Sequence, residues 1–166
     1  MGKMVGVEGD AVRGTDKHNV SGNATNPSPP PAPPTVPYAG VGSYTYTGKM
    51  TDSLSTFVKI AGKPVALVTS KSSLNPTETV PPAGGHSGPA GSGFTPPTPA
   101  PIPLTLSITD TIGTGIPNAA AGSALLTVGG VKVLLDGDKI DTCDGLHIPA
   151  NSTVAASGQS FVSCSA

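Results

Sequence analysis

Three segments of the chain can be laid on one template: Ser55–Val65, Ser123–Val133 and Asn151–Phe161. In register, Val58, Leu126 and Val154 coincide, then Ile60, Val128 and Ala156. Gly62, Gly130 and Gly158 follow, and then Val65, Val133 and Phe161. Apolar positions recur at a spacing of two, so each segment reads as a strand, a glycine turn and a second strand. A lone hairpin is marginal in water, and copies of one unit bury their apolar faces by packing on each other. The repetition therefore predicts an all-β chain of short hairpin repeats with an approximate threefold face.

Composition narrows the alternatives. The 166 residues suit one domain, spanning 1–166. With 4% aromatic residues and no tryptophan, the core must be built from Val, Leu, Ile and Ala. A net charge of −1 and scattered Lys and Arg give no basic stripe, which argues against nucleic acid as a partner. No apolar run approaches the roughly 20 residues needed to span a bilayer, and Met1–Asp10 lacks the apolar stretch of a signal peptide. The expectation is synthesis in a cytoplasm, with export, if any, by another route.

Sixteen of the nineteen prolines fall in two blocks, Pro27–Pro37 and Pro76–Pro103. Proline cannot donate to a sheet and favours polyproline II or irregular backbone. Each block is bracketed by strand-like sequence, so both read as loop excursions of a single domain, at about 23–37 and 76–103. Gly40–Met50, with Tyr44 and Tyr46 two apart, reads as a strand, as does Leu104–Ile108. No segment carries a helical period.

The ligand-type side chains lie between these units. Gly9-Asp10 is followed eight residues after the aspartate by His18. Gly137-Asp138 is followed by Cys143 and, nine residues after the aspartate, by His147. An aspartate after glycine forms turns by bonding its own backbone. His18, His86, Cys143 and His147 make a His3Cys set that would fill a tetrahedral Zn2+ shell with no open position. Against this, His18 and His86 also read as ordinary residues of polar loops. Cys143 and Cys164 would close a disulfide loop of about 20 residues in an oxidising compartment. Cys164 in Phe161-Val162-Ser163-Cys164 reads as packed in the last strand, though it could also replace His86 as a ligand.

The hairpin Ser-Thr-x-Val-x-x-x-Gly-Lys-Pro-Val, the Gly-Asp-x-Val/Ile turn and the scattered His/His/Cys/His set together resemble PAAR-repeat proteins. Those proteins form the spike tips of contractile injection machines: type VI secretion systems, phage-like particles and extracellular injection systems. The resemblance covers Gly6–His18, Ser55–Leu67 and Ser123 onward, over a third of the chain, and is clearest in Val131–Val162. It implies a pseudo-threefold cone of three hairpin repeats pinned near its point by one structural zinc. His18 would follow the first Gly-Asp turn, Cys143 and His147 the later one, and His86 would take the remaining place. The chain departs from the pattern after Val65, where Ala66–Lys71 contains no Gly-Asp pair, and in its long proline blocks.

The resemblance further implies a non-enzymatic tip that caps a trimeric spike, one copy per trimer, and sharpens it for puncture of a target membrane met only transiently. Effector or cargo contact would run through the loops, and delivery would place the chain outside the cell or in a target. Because the chain stops at Ala166, no toxin domain is expected after the last strand. Two other classes stand beside this one: a secreted or particle-surface adhesive protein with proline-rich stalks, and a zinc hydrolase. The latter would need an open metal position and a base such as Glu78, Asp141 or Asp144.

Overall fold

The computed structural model describes residues 2–28, 30–75, 78, 85–100, 103–143, 146 and 148–164. Among them are β1 (Lys3–Met4), β2 (Ala11–Thr25), β3 (Thr35–Asp52), β4 (Lys59–Ile60), β5 (Lys63–Pro64), β6 (Lys71–Leu74) and β7 (Ser92–Thr95). They are followed by β8 (Pro103–Ile108), β9 (Ile116–Pro117), β10 (Thr127–Val128), β11 (Val131–Lys132), β12 (Lys139–Asp141), β13 (Ser152–Ala155) and β14 (Ser163–Cys164). The chain is all-β, as its period-two patterning predicts.

Two of the expected hairpins form as read. β4 pairs β5 and β10 pairs β11, each across a two-residue turn. Both central residues of each turn have positive φ, Ala61 and Gly62 at 51° and 79° and Gly129 and Gly130 at 58° and 82°. This backbone matches the twist of the flanking strands and favours glycine. The third hairpin is a correction. Asn151–Phe161 does not fold back on itself: β13 pairs β2 and β12 instead, and the third unit joins the two ends of the chain through β1 and β14. Three equivalent backbone bonds fix the true register: Val65 N to Val58 O, Val133 N to Leu126 O, and Val5 N to Val162 O, each 3.1 Å. Gln159 rather than Asn151 opens the third unit. Its Oε1 accepts from Val162 N at 2.8 Å, as Ser55 Oγ accepts from Val58 N and Ser123 Oγ from Leu126 N at 3.0 Å. A contiguous template could not find a repeat split between the chain ends.

After each hairpin the chain enters a ring about a pseudo-threefold axis. Gly6 N donates to Leu134 O, Leu134 N to Ala66 O and Ala66 N to Gly6 O, at 2.8, 2.9 and 2.9 Å. Three equivalent turns leave the ring. Val7 N donates to Asp10 Oδ2, Leu135 N to Asp138 Oδ2 and Leu67 N to Ser70 Oγ, at 2.7, 2.8 and 2.9 Å. Ser70 thus performs the bond of the aspartate missing from the middle unit. Side chains alternate across the ring. Val5, Val65, Leu67, Val133 and Leu135 pack with the hairpins, while Ala66 and Leu134 pack with Val12, Tyr46, Met50, Ile140 and Val154.

Beyond the turns the chain makes three out-and-back excursions, β2 to β3, β6 to β9 and β12 to β13. Their six strands form one antiparallel sheet in the order β6-β3-β2-β13-β12-β9. Paired bonds between Ser72 and Gly115, 2.8 and 3.0 Å, bring β9 back to β6 and nearly close the sheet on itself. Outgoing strands therefore alternate with returning ones around the axis. The first excursion is far longer than the Gly-Asp turn and polar linker read from Gly9–His18. β2 and β3 stay paired from Ala11↔Lys49 to Thr25↔Thr35, so the connection between them is 26–34. At this far end β8 pairs β2 and β7 pairs β3, covering Val20, Ala24, Tyr38, Tyr44 and Leu106. The proline segment before β8 is anchored where the Tyr38 hydroxyl donates to Pro96 O at 2.5 Å.

Candidate metal centre

Alternation along β2 builds the first half of the site. Val12, Asp16, His18 and Val20 are buried, so the inward row of a strand that packs apolar residues at both ends carries two polar ones in its middle. From β3, Tyr44 and Tyr46 face the same interior. The second excursion brings His86, whose backbone N–H donates to Glu78 O at 2.8 Å. The third brings Cys143, two residues past β12, with a backbone φ of 49°.

These residues converge. One donor atom from each of Asp16, His18, His86 and Cys143 lies within 4.8 Å of all the others, and all four residues are buried. Asp16 Oδ2 is 2.9 Å from His86 Nε2 and 3.5 Å from His18 Nε2, and Cys143 Sγ is 3.7 Å from His86 Nε2. Donors held tetrahedrally at bonds of about 2.0–2.3 Å stand about 3.3–3.8 Å apart, so a metal ion needs only small adjustments to enter. The cluster joins all three excursions: two donors from the first, one from the second and one from the third, midway along the paired length of β2 and β3.

The polar bookkeeping fits a cation. His18 Nε2 is buried and has no hydrogen-bond partner, as do His86 Nδ1 and Asp16 Oδ1. An orphaned buried nitrogen costs about 1–3 kcal/mol, and a bond to a metal ion would remove that cost for His18. The other nitrogen of His18 is held by Asp110, whose Oδ1 lies 2.6 Å from Nδ1. Asp110 Oδ2 also accepts from the backbone and side chain of Asn19 at 2.7 and 3.0 Å. A carboxylate on one imidazole nitrogen sets the tautomer that presents a lone pair from the other. Rings wall the site. Tyr44 stacks on His86 with centroids 6.1 Å apart, and Tyr46 meets His86 edge-on at 5.9 Å.

Electrostatics follow from this packing. Burial opposes the charge of Asp16, but the His18, His86 and Cys143 side chains beside it outweigh burial and hold the carboxyl well below the usual carboxylate range. Burial likewise disfavours a charged His18, yet Asp16 and Asp110 overcome it and raise its pKa above the ordinary value. Two carboxylates facing one buried imidazole make a site that calls for positive charge, which a divalent ion supplies without a proton.

Three expected ligands, His18, His86 and Cys143, are brought together. His147 lies outside the described residues. Asp16 completes the cluster and was not expected, because Gly9–His18 read as a turn; read as a strand, its spacing of two from His18 puts both on one side. Asp110 carried no signal, since nothing in the sequence ties Thr109-Asp110 to β2. Cys143 and Cys164 form no disulfide. Cys164 is half-buried in β14, with Sγ 3.3 Å from Ser123 Oγ and packed against the hairpin core.

Compared with models of protein families, with curated proteins and with solved structures, the chain matches none.

Proposed function

We propose that the chain is the metal-pinned tip of a contractile injection particle, capping a trimeric spike with one copy per trimer and sharpening it for membrane puncture. The observation that carries this reading is the cyclic bond set of Gly6, Ala66 and Leu134 near the hairpins together with a four-residue cluster that unites the three excursions beyond it. A single chain with an approximate threefold axis can seat on the end of a symmetric trimer, whereas a chain without that axis would satisfy one subunit and mismatch two. The PAAR-like hairpins and Gly-Asp turns support the same reading.

Zinc is the ion proposed for the cluster. A thiolate with two imidazoles and a carboxylate suits Zn2+, and four protein donors fill its tetrahedral shell. With no place for a bound water, the metal's role is to hold. Structural zinc contributes folding free energy directly, which suits a chain with few aromatic residues and three excursions to tie together. Asp16, His18, His86 and Cys143 would hold the ion, and Asp110 would orient His18. The hairpin end would then be the base, and the Thr25↔Thr35 end of β2 and β3, beyond the metal, the leading end.

Native mass measurement of the protein mixed with a trimeric spike protein tests the reading. One chain per trimer is expected. Three chains per trimer would contradict the capping argument, and no association with a trimer would remove it.

A further inference from the structure

Three large apolar side chains stand out in solvent: Phe57, Leu125 and Phe161, at 70%, 72% and 67% exposure. They occupy one position of the pseudo-threefold pattern. Each directly precedes the residue whose carbonyl caps the ring strand, Val58, Leu126 and Val162, and those three pack inward against the hairpin core. Isolated exposed apolar residues are ordinary, but three at equivalent positions with nearly equal exposure make a threefold-patterned surface. Phe57 already reaches across units, its ring lying near the Gly129 turn of the next hairpin.

Charge on the outer hairpin strands is one-sided, with the exposed acids Glu8 and Asp136 at their inner edge, where their N–H groups donate to Pro64 O and Met4 O. The segments 2–7, 54–67, 123–135 and 157–164 hold Lys3, Lys59, Lys63 and Lys132, all exposed, and no Asp or Glu, although the whole chain carries a net −1. Lys3 and Lys63 are threefold equivalents, each two residues before a ring valine, Val5 and Val65. A second copy of the chain would set lysines against lysines, so the layer is built against self-association.

Resting on the capping reading, we infer that this outer hairpin face is the docking surface, and that the occupant is a trimer end with an apolar centre rimmed by carboxylates. Phe57, Leu125 and Phe161 would each enter one of three equivalent apolar sites, and the lysines would face the acidic rim. Buried aromatic anchors supply most of an interface's affinity, while rim charges steer approach and fix register.

The probe is a purified trimeric spike protein whose exposed end carries an apolar centre and a carboxylate ring, together with the same protein bearing a lysine ring. The unaltered chain should bind the acidic form at one copy per trimer and not the lysine form, with binding that weakens as salt rises. Phe57→Ser, Leu125→Ser and Phe161→Ser should each weaken binding about tenfold, because the positions are equivalent. Lys59→Glu with Lys63→Glu should exchange the preference between the two trimers. All these residues are exposed, so metal content and thermal unfolding should stay unchanged and report intact folding. Binding at one copy per trimer that ignores these substitutions would overturn the assigned face and leave the capping reading standing. Binding to neither trimer would overturn both.

Discussion

His18 and Asp110 come from different excursions, yet Nδ1 of the histidine and Oδ1 of the aspartate lie 2.6 Å apart. His18 is buried with its opposite nitrogen aimed at Asp16, Cys143 and His86. Asp110 therefore orients the His18 ring within the cluster as well as tying the edge of the second excursion to the first. Asp110→Asn keeps the shape and removes the carboxylate. Metal affinity should fall about 10–100-fold, the range for loss of such a partner. Competition with a chelator measures it, and the absorption spectrum of the cobalt-substituted protein should shift because the imidazole turns. An unchanged spectrum and affinity would reduce Asp110 to a structural tie.

The fourth ligand separates two expectations. Asp16 belongs to the buried cluster, whereas His147, a ligand expected from its place nine residues after Asp138, lies outside the described residues. Asp16→Asn should lower metal affinity strongly, and His147→Ala should leave it near the parent value. The opposite result would restore the His3Cys set. Cys164→Ser should leave the metal in place, since that sulfur faces Ser123 and the hairpin core rather than the cluster.

The two proline blocks differ in how they are held. The carbonyl of Pro96 accepts from Tyr38, and the segment leads into β8, which adds a strand to β2. The 26–34 connection is tied mainly by Asn26, which bonds Pro33 O, Pro34 O and Ser28 N, all at its own neck. Limited proteolysis and hydrogen exchange should find 26–34 cut and exchanged first, with 96–100 slower. Equal rates would remove the splinting role of the second block and leave both as contact loops.

Much of the architecture was legible from period-two patterning. Hairpins at 55–65 and 123–133 and the aspartate turns at Asp10 and Asp138 depend on local chemistry, and local chemistry is what sequence records. The third hairpin was not legible, because its strands lie at opposite ends of the chain and share no contiguous pattern. The length of β2 was hidden for a related reason: its inward row runs Val12, Asp16, His18, Val20, and two polar residues in that row break the apolar alternation by which strands are recognised. The same break concealed Asp16 as a donor. Histidine and cysteine marked His18, His86 and Cys143 by residue type alone, while Asp16 and Asp110 look like any surface aspartates until the excursions close around them.

Metal content tests the central claim most directly: that one ion ties the three excursions together. Elemental analysis of the purified chain should give about one zinc per chain for a closed four-donor site. Cys143→Ser should lose most of it, with a marked fall in unfolding temperature that added zinc does not restore. A full zinc complement in Cys143→Ser, or parent protein that binds no zinc and unfolds at the same temperature with and without chelator, would contradict the account.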